Sequence, residues 1–195
     1  EDNSFDLIEG KDIKRFFIQE CSNFIIWDKA EIHRTRPDYL WNQPKKIVMQ
    51  RISGGTMPLV SAIDLEKRKA FASTNNIILI EEYKELYEFF NCLLNSRLIN
   101  WYYANNFSNN SNLTVNISKT FLETLPIQLP TSNVLSRIND LHQELENTYG
   151  TDDFNENYEL LNIIIYKLYN LTHQEVLLID PAFSLTEEAY TNYQA

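Results

Sequence analysis

The segment from residue 83 to residue 103 constrains the fold more than any other part of this sequence. It reads YKELYEFFNCLLNSRLINWYY, and few helices in a chain of 195 residues are this aromatic. In its first half, apolar side chains recur at the i, i+3, i+4, i+7 spacing of a helix with one wide apolar face: Tyr83, Leu86, Tyr87, Phe90, Leu93 and Leu94. Ser96 then interrupts the pattern and can cap a second short helix. The spacing therefore predicts two consecutive helices at the centre of the core.

Length and composition favour a folded protein with one domain, or one domain that carries a helical extension. Hydrophobic residues make up 44% of the chain and aromatic residues 13%, which argues against disorder. No apolar run approaches the roughly 20 residues of a membrane span. Cys21 and Cys92 lie too far apart to suggest a disulfide framework or a zinc site, so we expect buried thiols in a cytoplasmic protein.

The net charge of −10 is distributed unevenly along the chain. Residues 1–70 hold 12 basic and 11 acidic side chains, whereas residues 140–195 hold 1 and 11. Between Lys29 and Arg51 there are six basic residues and only two acidic ones. Charges on separate exposed surfaces are largely screened beyond about 8 Å at physiological salt. The acidic last quarter therefore does not exclude DNA as a ligand of the more basic first part.

The clearest strand pattern of the first half covers residues 45–52. Alternation places Ile47, Met49 and Arg51 on one face and the residues between them on the other. Because Arg51 shares its face with two apolar side chains, a partly buried structural arginine is an open alternative to a ligand-binding one. The Ser-Gly-Gly-Thr motif at 53–56 holds the only Gly-Gly pair among four glycines, which indicates a special backbone turn.

Further strands and helices follow from periodicity and turn signals. The β-rich runs 14–19 and 24–27 predict a strand pair, and the apolar run 77–80 predicts a strand buried on both faces. The 4-3-4 spacing from Val134 to Leu145 predicts an amphipathic helix. Two later helical segments are indicated by the periodicity of residues 153–169 and by a capping box made of Thr172 and Glu175.

Strands therefore dominate the first half of the chain, and helices dominate the second. This order predicts an α+β fold, with a mixed and curled β-sheet packed on the two central helices. The proline-bounded segment 126–130 is predicted to be extended, because each proline restricts the residue before it. We accordingly expect a first domain over residues 1–130 and a C-terminal helical extension over residues 131–195.

The sequence holds no set of side chains with a convincing catalytic spacing. His33, His142 and His173 are too widely separated for a metal-binding motif, and we expect the last two to be solvated. Asp64 and Glu66, with the lysine that follows, match the acidic pattern of metal-dependent nucleases only loosely. No glycine-rich loop is present that would bind nucleotide phosphates.

A basic and aromatic region includes the strand predicted at 45–52 and the loop before it. Its members are Arg34, Arg36, Tyr39, Trp41, Lys45, Lys46 and Arg51, followed by Gly54 and Gly55. Arginine and lysine side chains in such a region can bind phosphates, and one or two can reach the edges of bases. The alternative is a solvated basic face above a core strand, with no ligand.

Several landmarks occur in an order that is typical of one protein family. They are LIEGKDIKRF at 7–16, KKIVMQRI at 45–52, AID at 62–64, NIILI at 76–80, LLNSRLI at 93–99, LETLPIQLP at 122–130 and YKLYNLTHQE at 166–175. In these landmarks the chain resembles the TaqI-like C-terminal specificity domain, or target recognition domain, of N6-adenine DNA methyltransferases, including fused type IIG restriction–modification enzymes. The match spans most of residues 7–180.

The resemblance implies a module that selects the DNA sequence, while a methyltransferase domain upstream binds S-adenosylmethionine and flips the target adenine. The catalytic Asn/Asp-Pro-Pro-Tyr/Phe motif of that class is absent, because the sequence has no Pro-Pro pair. We therefore expect neither catalysis nor a cofactor in this chain. Because its first residue is Glu and not Met, we also expect a fragment of a longer polypeptide.

The expected partners are double-stranded DNA and the upstream methyltransferase domain, in the bacterial cytoplasm. Most of the DNA-facing residues are expected to position phosphates, and one or two are expected to discriminate bases. The candidates for these contacts are Arg34, Arg36, Lys45, Lys46, Arg51, Gly54, Gly55 and Lys119.

Two other classes of function stay open at the level of sequence. One is a protein–protein interaction module that acts through the acidic C-terminal helices, with the narrow apolar stripe from Val134 to Leu145 as its surface. The other is an unrecognised enzyme, for which His33, Asp64 and Glu66 are the best candidates.

Overall fold

The structure is a computed structural model that describes residues 4–28, 30–32, 37–70, 73–107 and 115–194. Within these ranges the fold is α+β, with short strands and longer helices, which confirms the predicted fold class. The strands are β1 (Ser4–Ile8), β2 (Ile13–Lys14), β3 (Phe17–Ile18), β4 (Asn23–Ile26), β5 (Lys46–Gln50), β6 (Ile52–Ser53), β7 (Ser61–Asp64), β8 (Lys69–Ala70), β9 (Thr74–Ile77) and β10 (Val115–Asn116).

The helices are α1 (Asp38–Trp41), α2 (Tyr87–Asn95), α3 (Arg97–Asn106), α4 (Lys119–Glu123), α5 (Ser132–Asn147), α6 (Asp152–Leu168), α7 (His173–Ile179) and α8 (Glu187–Asn192). Two 3-10 segments, Gly10–Asp12 and Glu81–Leu86, add to them. Of the helices in the described ranges, none has the length and apolar character needed to cross a membrane.

Parallel and antiparallel pairs are both present, but they are divided among small sheets. β5 lies between β7 and β9 and is antiparallel to both. β1 lies between β4, to which it is antiparallel, and β8, to which it is parallel. The hairpin β2–β3 and the antiparallel pair β6–β10 complete the described β-structure.

β5 is the central strand, and its two faces enter two different apolar clusters. Ile47 and Met49 belong to the main core, whereas Val48 belongs to a smaller core with Ile8 and Ile13. These side chains are all fully buried. The alternation that the sequence predicts for this strand is therefore confirmed.

The predicted pairing of residues 14–19 with residues 24–27 is wrong. The first run folds back on β2 as a hairpin, and β4 pairs with β1 instead. The turn is tight because Phe16 adopts a left-handed φ of 67°. This conformation is held by the buried Phe16 ring and by the Phe16 N–H, which donates to the carbonyl oxygen of Ser61 at 2.9 Å.

The predicted strand at 77–80 is also wrong, and the central helix begins later than Tyr83. β9 ends at Ile77, and Ile80 is 64% exposed at the start of the 3-10 segment. The backbone in between is tied to α2, because the Leu79 N–H donates to the Tyr87 hydroxyl at 3.0 Å. Regular helix starts only at Tyr87.

The helices α2 and α3 lie at the centre of the main core, as predicted. Ser96 ends α2 and caps α3 by accepting the backbone N–H of residue 99 on its Oγ at 3.3 Å. Two buried asparagines fasten the helices to the strand region: Asn95 Oδ1 accepts the Ser61 N–H at 3.1 Å, and Asn100 Oδ1 accepts the Leu59 N–H at 2.8 Å. Because buried polar groups are normally paired, these bonds fix the helices relative to β7.

The C-terminal helices share the main core with α2 and α3. Ile138 and Leu145 of α5 are fully buried there, as are Leu161 of α6 and Val176 of α7. The apolar stripe that starts at Val134 is thus covered within the chain, and the interaction hypothesis is not favoured. The division of the chain at residue 130 stays a prediction.

His142 is buried, at 2% exposure, so the expectation of a solvated histidine is wrong. It lies four residues after Ile138 and three before Leu145, which places it on the buried face of α5. Its Nε2 accepts from the side-chain amide of Asn91 at 2.8 Å. His173 is partly buried, with its Nε2 donating to the carbonyl oxygen of Leu185 at 2.8 Å.

Candidate nucleic-acid interface

Arg51 lies where the chain leaves the central sheet, between β5 and β6. Its N–H donates to the carbonyl oxygen of Ser73 at 3.0 Å, and its carbonyl oxygen accepts the N–H of Ile117 at 2.8 Å. Its Nε donates to Oδ1 of Asn116 at 3.2 Å. These bonds link the junction of β5 and β6 to β10, and the Arg51 side chain is half-buried. Arg51 therefore has the structural contacts of a partly buried arginine, which was one of the two interpretations of the sequence.

The pair β6–β10 carries an exposed apolar side chain and leads into the glycine turn. Ile52 pairs with Asn116 and is 56% exposed. Gly55 has a φ of 81°, the left-handed conformation that other residues adopt at a cost, and both Gly54 and Gly55 are exposed. The special backbone turn predicted at 53–56 is confirmed at Gly55.

Lys119 lies at the same edge as Arg51, because α4 follows β10 directly. The helix is capped by Ser118, whose Oγ accepts the N–H of Phe121 at 3.3 Å. The Lys119 side chain is 88% exposed and forms an ion pair with Glu123 at 3.1 Å. Because exposed ion pairs of this kind are weak, the ammonium group can exchange its carboxylate for a phosphate.

Lys45 lies at the other end of β5, away from Arg51 and Lys119. Arg51 lies six positions after Lys45, which corresponds to about 20 Å along an extended strand. The Lys45 ammonium forms an ion pair with Glu88 and lies 5.4 Å from the centre of the Tyr87 ring. The predicted candidates therefore do not form one cluster.

The expectation that Lys46 faces a duplex is wrong. Its side chain is 0% exposed, and its Nζ forms an ion pair with Asp64, which is also fully buried. The two residues are directly opposite in the antiparallel register of β5 and β7. The Lys46 Nζ also donates to the carbonyl oxygen of Arg68 at 3.0 Å. Lys46 is held inside the protein because a buried charge needs its partners there.

Arg34 and Arg36 lie outside the described residues, and their contact with DNA stays a prediction. The same holds for His33, the first of the enzyme candidates. Tyr39, from the same predicted region, is in α1 and is 62% exposed.

The described enzyme candidates are engaged in structural contacts. Asp64 binds Lys46, and the Glu66 carboxylate pairs with Arg68 at 2.6 Å. Burial raises the pKa of Cys21 to about 11 and that of Cys92 well above its ordinary value, so both thiols stay protonated. The described ranges also contain no group of three His, Cys, Asp or Glu side chains that could hold a metal ion.

Two open cavities lie on either side of Gln50. The first, of about 430 Å³, is lined by Glu9, Gly10, Lys11, Gln50, Ile52 and Ser73. The second, of about 390 Å³, is lined mainly by Ile13, Lys14, Arg15, Gln50, Tyr149 and Phe154. The site residues expected from the sequence do not include the three cations of these cavities, Lys11, Lys14 and Arg15. The sequence feature that indicates Lys14 and Arg15 is a Lys-Arg pair between the apolar residues of a β-rich run.

Comparison with known proteins shows a similar solved structure and a matching family. No curated protein matches the sequence. Among solved structures, the chain is similar to the type IIL restriction–modification enzyme MmeI, which was determined in complex with DNA. The TM-score is 0.65 at 12% sequence identity, and the match covers 98% of this chain but 31% of the MmeI chain. The chain thus corresponds to about a third of that enzyme, and at this identity the likeness shows a shared fold.

A family model gives the more specific result. The model of the TaqI-like C-terminal specificity domain matches residues 5–127, which is more than half of the chain. The matched range contains the landmarks from residue 7 to residue 99 and the start of the one at 122–130. It also contains the central sheet, the glycine turn, the helices α2 and α3, and Lys119. The chain belongs to the family of TaqI-like C-terminal specificity domains.

Proposed function

We propose that this chain is the DNA sequence-specificity module of a restriction–modification enzyme. The observation that carries the proposal is the family match over residues 5–127, which identifies a specificity domain. The fold shared with MmeI, an enzyme of this class determined with DNA, supports it. Because the chain covers 31% of the MmeI chain, we assign the catalytic steps to other parts of a longer polypeptide.

The finer proposal is that the parent enzyme is an adenine-specific DNA methyltransferase or a type IIG restriction–modification enzyme. Its methyltransferase domain lies upstream, binds S-adenosylmethionine and flips the target adenine out of the duplex. The absence of a Pro-Pro pair from the sequence supports a non-catalytic role for this chain. Such an enzyme acts on DNA in the bacterial cytoplasm.

We assign the reading surface to the pair β6–β10 with the neighbouring turn and α4. Arg51 is held at the base of this surface by Asn116, and Ile52 offers an exposed apolar side chain to a thymine methyl group. Gly55 lets the turn pass close to a sugar–phosphate backbone. Lys119 is placed to neutralise a phosphate.

The other residues that the sequence suggested as DNA contacts lie outside this reading surface or outside the described residues. Lys45 can contact a phosphate only by giving up Glu88, at a site about 20 Å from Arg51. Arg34 and Arg36 keep their proposed role as DNA contacts. Lys46 is excluded from the surface because it is buried.

Selection from a pool of random duplexes tests the proposal. The 195-residue chain is expected to enrich one sequence, and binding is expected to weaken as salt rises. Lys119→Ala is expected to weaken binding to all sequences and to lower the salt slope by about one. Lys84→Ala is the matched control, because Lys84 is a half-exposed lysine in a local ion pair with Glu81 outside the proposed surface. A chain that binds every duplex equally, or binds none, would contradict the proposal.

The adenine-specific part needs a separate experiment. The gene of the proposed longer polypeptide, which includes this chain and the methyltransferase domain, is introduced into a bacterial host without DNA methylation. The DNA of the host is then sequenced by a method that detects N6-methyladenine. Methylated adenine within one recurring sequence is the expected result. Methylation of cytosine alone would contradict the adenine assignment and leave the specificity role intact.

A further inference from the structure

The hairpin β2–β3 presents two adjacent cations, Lys14 and Arg15, to the second cavity. Arg15 and Phe16 form its two-residue turn, and the buried ring of Phe16 anchors that turn in the main core. One side of the Arg15 guanidinium is fixed, because Nη2 donates to the carbonyl oxygen of Met57 at 2.8 Å. The Lys14 Nζ donates to the carbonyl oxygen of Lys11 at 2.8 Å. Both cationic groups are therefore held in place next to the cavity.

The wall of this cavity contains no carboxylate among the residues that the structure describes. Besides the two cations, it offers the Gln50 side chain and the rings of Tyr149 and Phe154. Its mouth is open at Gly150, where an added Cβ would meet no atom within 4 Å. A volume of about 390 Å³ accommodates a phosphate group with part of the sugar that carries it.

Most other lysine and arginine side chains whose contacts the structure describes form an ion pair with a carboxylate. This holds for Lys11 with Glu9, Lys45 with Glu88, Lys46 with Asp64, Arg97 with Glu159, and Lys119 with Glu123. Across the described ranges, Lys14 and Arg15 have no carboxylate within 4.0 Å, and each donates to a backbone carbonyl group instead. Two adjacent, fixed and unneutralised cations favour an anion as the ligand of this cavity.

The Arg15 guanidinium keeps donors that no described residue accepts from. Within the described ranges it bonds to Met57 through Nη2, and its Nε has no hydrogen-bond partner. The Nε is itself inaccessible to solvent, so an anion in the cavity would bind the guanidinium through its terminal Nη groups. A phosphate oxygen is a suitable acceptor, because guanidinium and phosphate form short, charge-assisted hydrogen bonds.

We infer that this cavity is a phosphate site, and that it holds a phosphodiester group of the DNA backbone. The second half of this inference rests on the proposed function. Arg15 donates to a phosphate oxygen through a terminal Nη group, and Lys14 adds a positive charge that no carboxylate of the described chain neutralises. Tyr149 and Phe154 line the side of the cavity that faces the adjoining sugar.

The position of the site relative to the reading surface supports a backbone contact. Gln50 lines both cavities, and the first cavity is also lined by Ile52 of β6. The proposed phosphate site and the pair β6–β10 are therefore neighbours. A DNA backbone at this site would bring base edges near β6–β10, as expected when phosphate contacts set the position and other residues read the sequence.

Binding to a duplex at several salt concentrations tests the site, with the 195-residue chain and three variants. Lys14→Gln is expected to lower the salt slope by about one. Arg15→Lys keeps the charge but removes the planar guanidinium and its Nη donors, and it is expected to weaken binding about tenfold. Lys84→Gln, on the 3-10 segment before α2, is the control that should change neither quantity. Thermal unfolding verifies that each variant is folded. Unchanged binding by folded Lys14→Gln and Arg15→Lys would overturn the inference.

Nuclear magnetic resonance separates failure of the site from failure of the proposed function. The Arg15 Nε–H signal is assigned by its loss in Arg15→Lys, and the labelled chain is titrated with inorganic phosphate or with a short duplex. The inference predicts that both ligands shift this signal. If the duplex shifts only signals near Gly55 and Lys119, the inference fails and the proposed function stands. If phosphate alone shifts it, the site is not a DNA site. A duplex that shifts no signal contradicts the proposed function.

Discussion

Lys45 and Lys46 are neighbours in the sequence but occupy opposite environments in the fold. Lys45 lies at the edge of β5, with a side chain that is 30% exposed, and pairs with Glu88. Lys46 is buried opposite Asp64, and both side chains are 0% exposed. The sequence assigns both lysines to one basic region, because it does not show that the pairing of β5 with β7 places Asp64 opposite Lys46.

Replacement of each lysine by alanine should separate these environments. Lys46→Ala leaves the Asp64 charge buried with fewer partners and is expected to lower the free energy of unfolding by about 3–5 kcal/mol. Lys45→Ala breaks a partly exposed pair and is expected to cost less than about 1 kcal/mol. Urea unfolding measures both values. Equal losses for the two variants would contradict the assignment of Lys46 to the interior.

The left-handed turn at Gly55 makes a second prediction at the scale of one residue. Gly55→Ala is expected to destabilise the protein by about 1–2 kcal/mol, because the φ of 81° strains any residue with a Cβ. Space does not limit the substitution, since an added Cβ meets nothing within 4 Å. Gly55→Asn serves as the control, because asparagine tolerates this conformation better. Thermal unfolding that ranks alanine equal to glycine would contradict this account of the turn.

At the scale of elements, α7 has the most complete local signal in the sequence. Thr172 Oγ1 accepts the N–H of Glu175 at 3.3 Å, and the Glu175 carboxylate accepts the N–H of Thr172 at 2.7 Å. The Thr172 backbone and hydroxyl hydrogen bonds lower the pKa of Glu175 below its ordinary value of 4.5. The capping box predicted from four residues is therefore present in full.

The lowered pKa of Glu175 predicts how α7 responds to acid. A carboxylate whose pKa is lower in the folded state stabilises the fold above its unfolded pKa, and it loses this contribution as the pH falls through the folded pKa. The wild type is thus expected to lose stability from this group at pH values below about 4.5. Glu175→Gln should lack that part of the acid response. Hydrogen exchange of α7 amides between pH 6 and about 3 measures it; identical profiles for both proteins would contradict the role of the cap.

The elements that the sequence predicted correctly are those whose signals are local. The strand 46–50, the Ser96 cap, the helices α5 and α6 and the capping box of α7 all depend on residues within a few positions of each other. The sequence did not predict α8. The hairpin β2–β3 was missed because it depends on Phe16 in a left-handed conformation, which only the surrounding core stabilises. The candidate site was predicted only in part, because the burial of Lys46 also depends on distant residues. It follows from the register of β5 and β7, which places Lys46 opposite Asp64.

At the scale of the whole molecule, one core joins the specificity region to the C-terminal helices. Arg97 at the start of α3 binds Glu159 of α6 and also Asp180 after α7, the latter at 2.9 Å. The Arg97 backbone N–H donates to Oδ1 of the buried Asn162 at 2.8 Å. The helices after residue 130 thus cover apolar surface of α2 and α3 and satisfy polar groups at their junction.

Removal of residues 131–195 tests how far the first part depends on these helices. The remaining chain would expose the faces of α2 and α3 that the main core buries, and is expected to lose cooperative unfolding and its near-ultraviolet circular dichroism. Arg97→Ala in the full chain is the milder variant, because it removes the ion pairs with Glu159 and Asp180 and the contact with the Tyr158 ring but leaves the helices in place. A truncated chain that unfolds cooperatively with unchanged stability would instead support two independent domains.

If this chain reads a DNA sequence, it must discriminate between single base pairs. The affinity for the duplex obtained by selection is compared with that for duplexes in which one base pair at a time is replaced, at fixed salt. We expect losses of affinity of about 1–3 kcal/mol, or roughly 5- to 150-fold, at a contiguous set of positions. Equal affinity for every substituted duplex would contradict this expectation and leave only a non-specific binder of DNA.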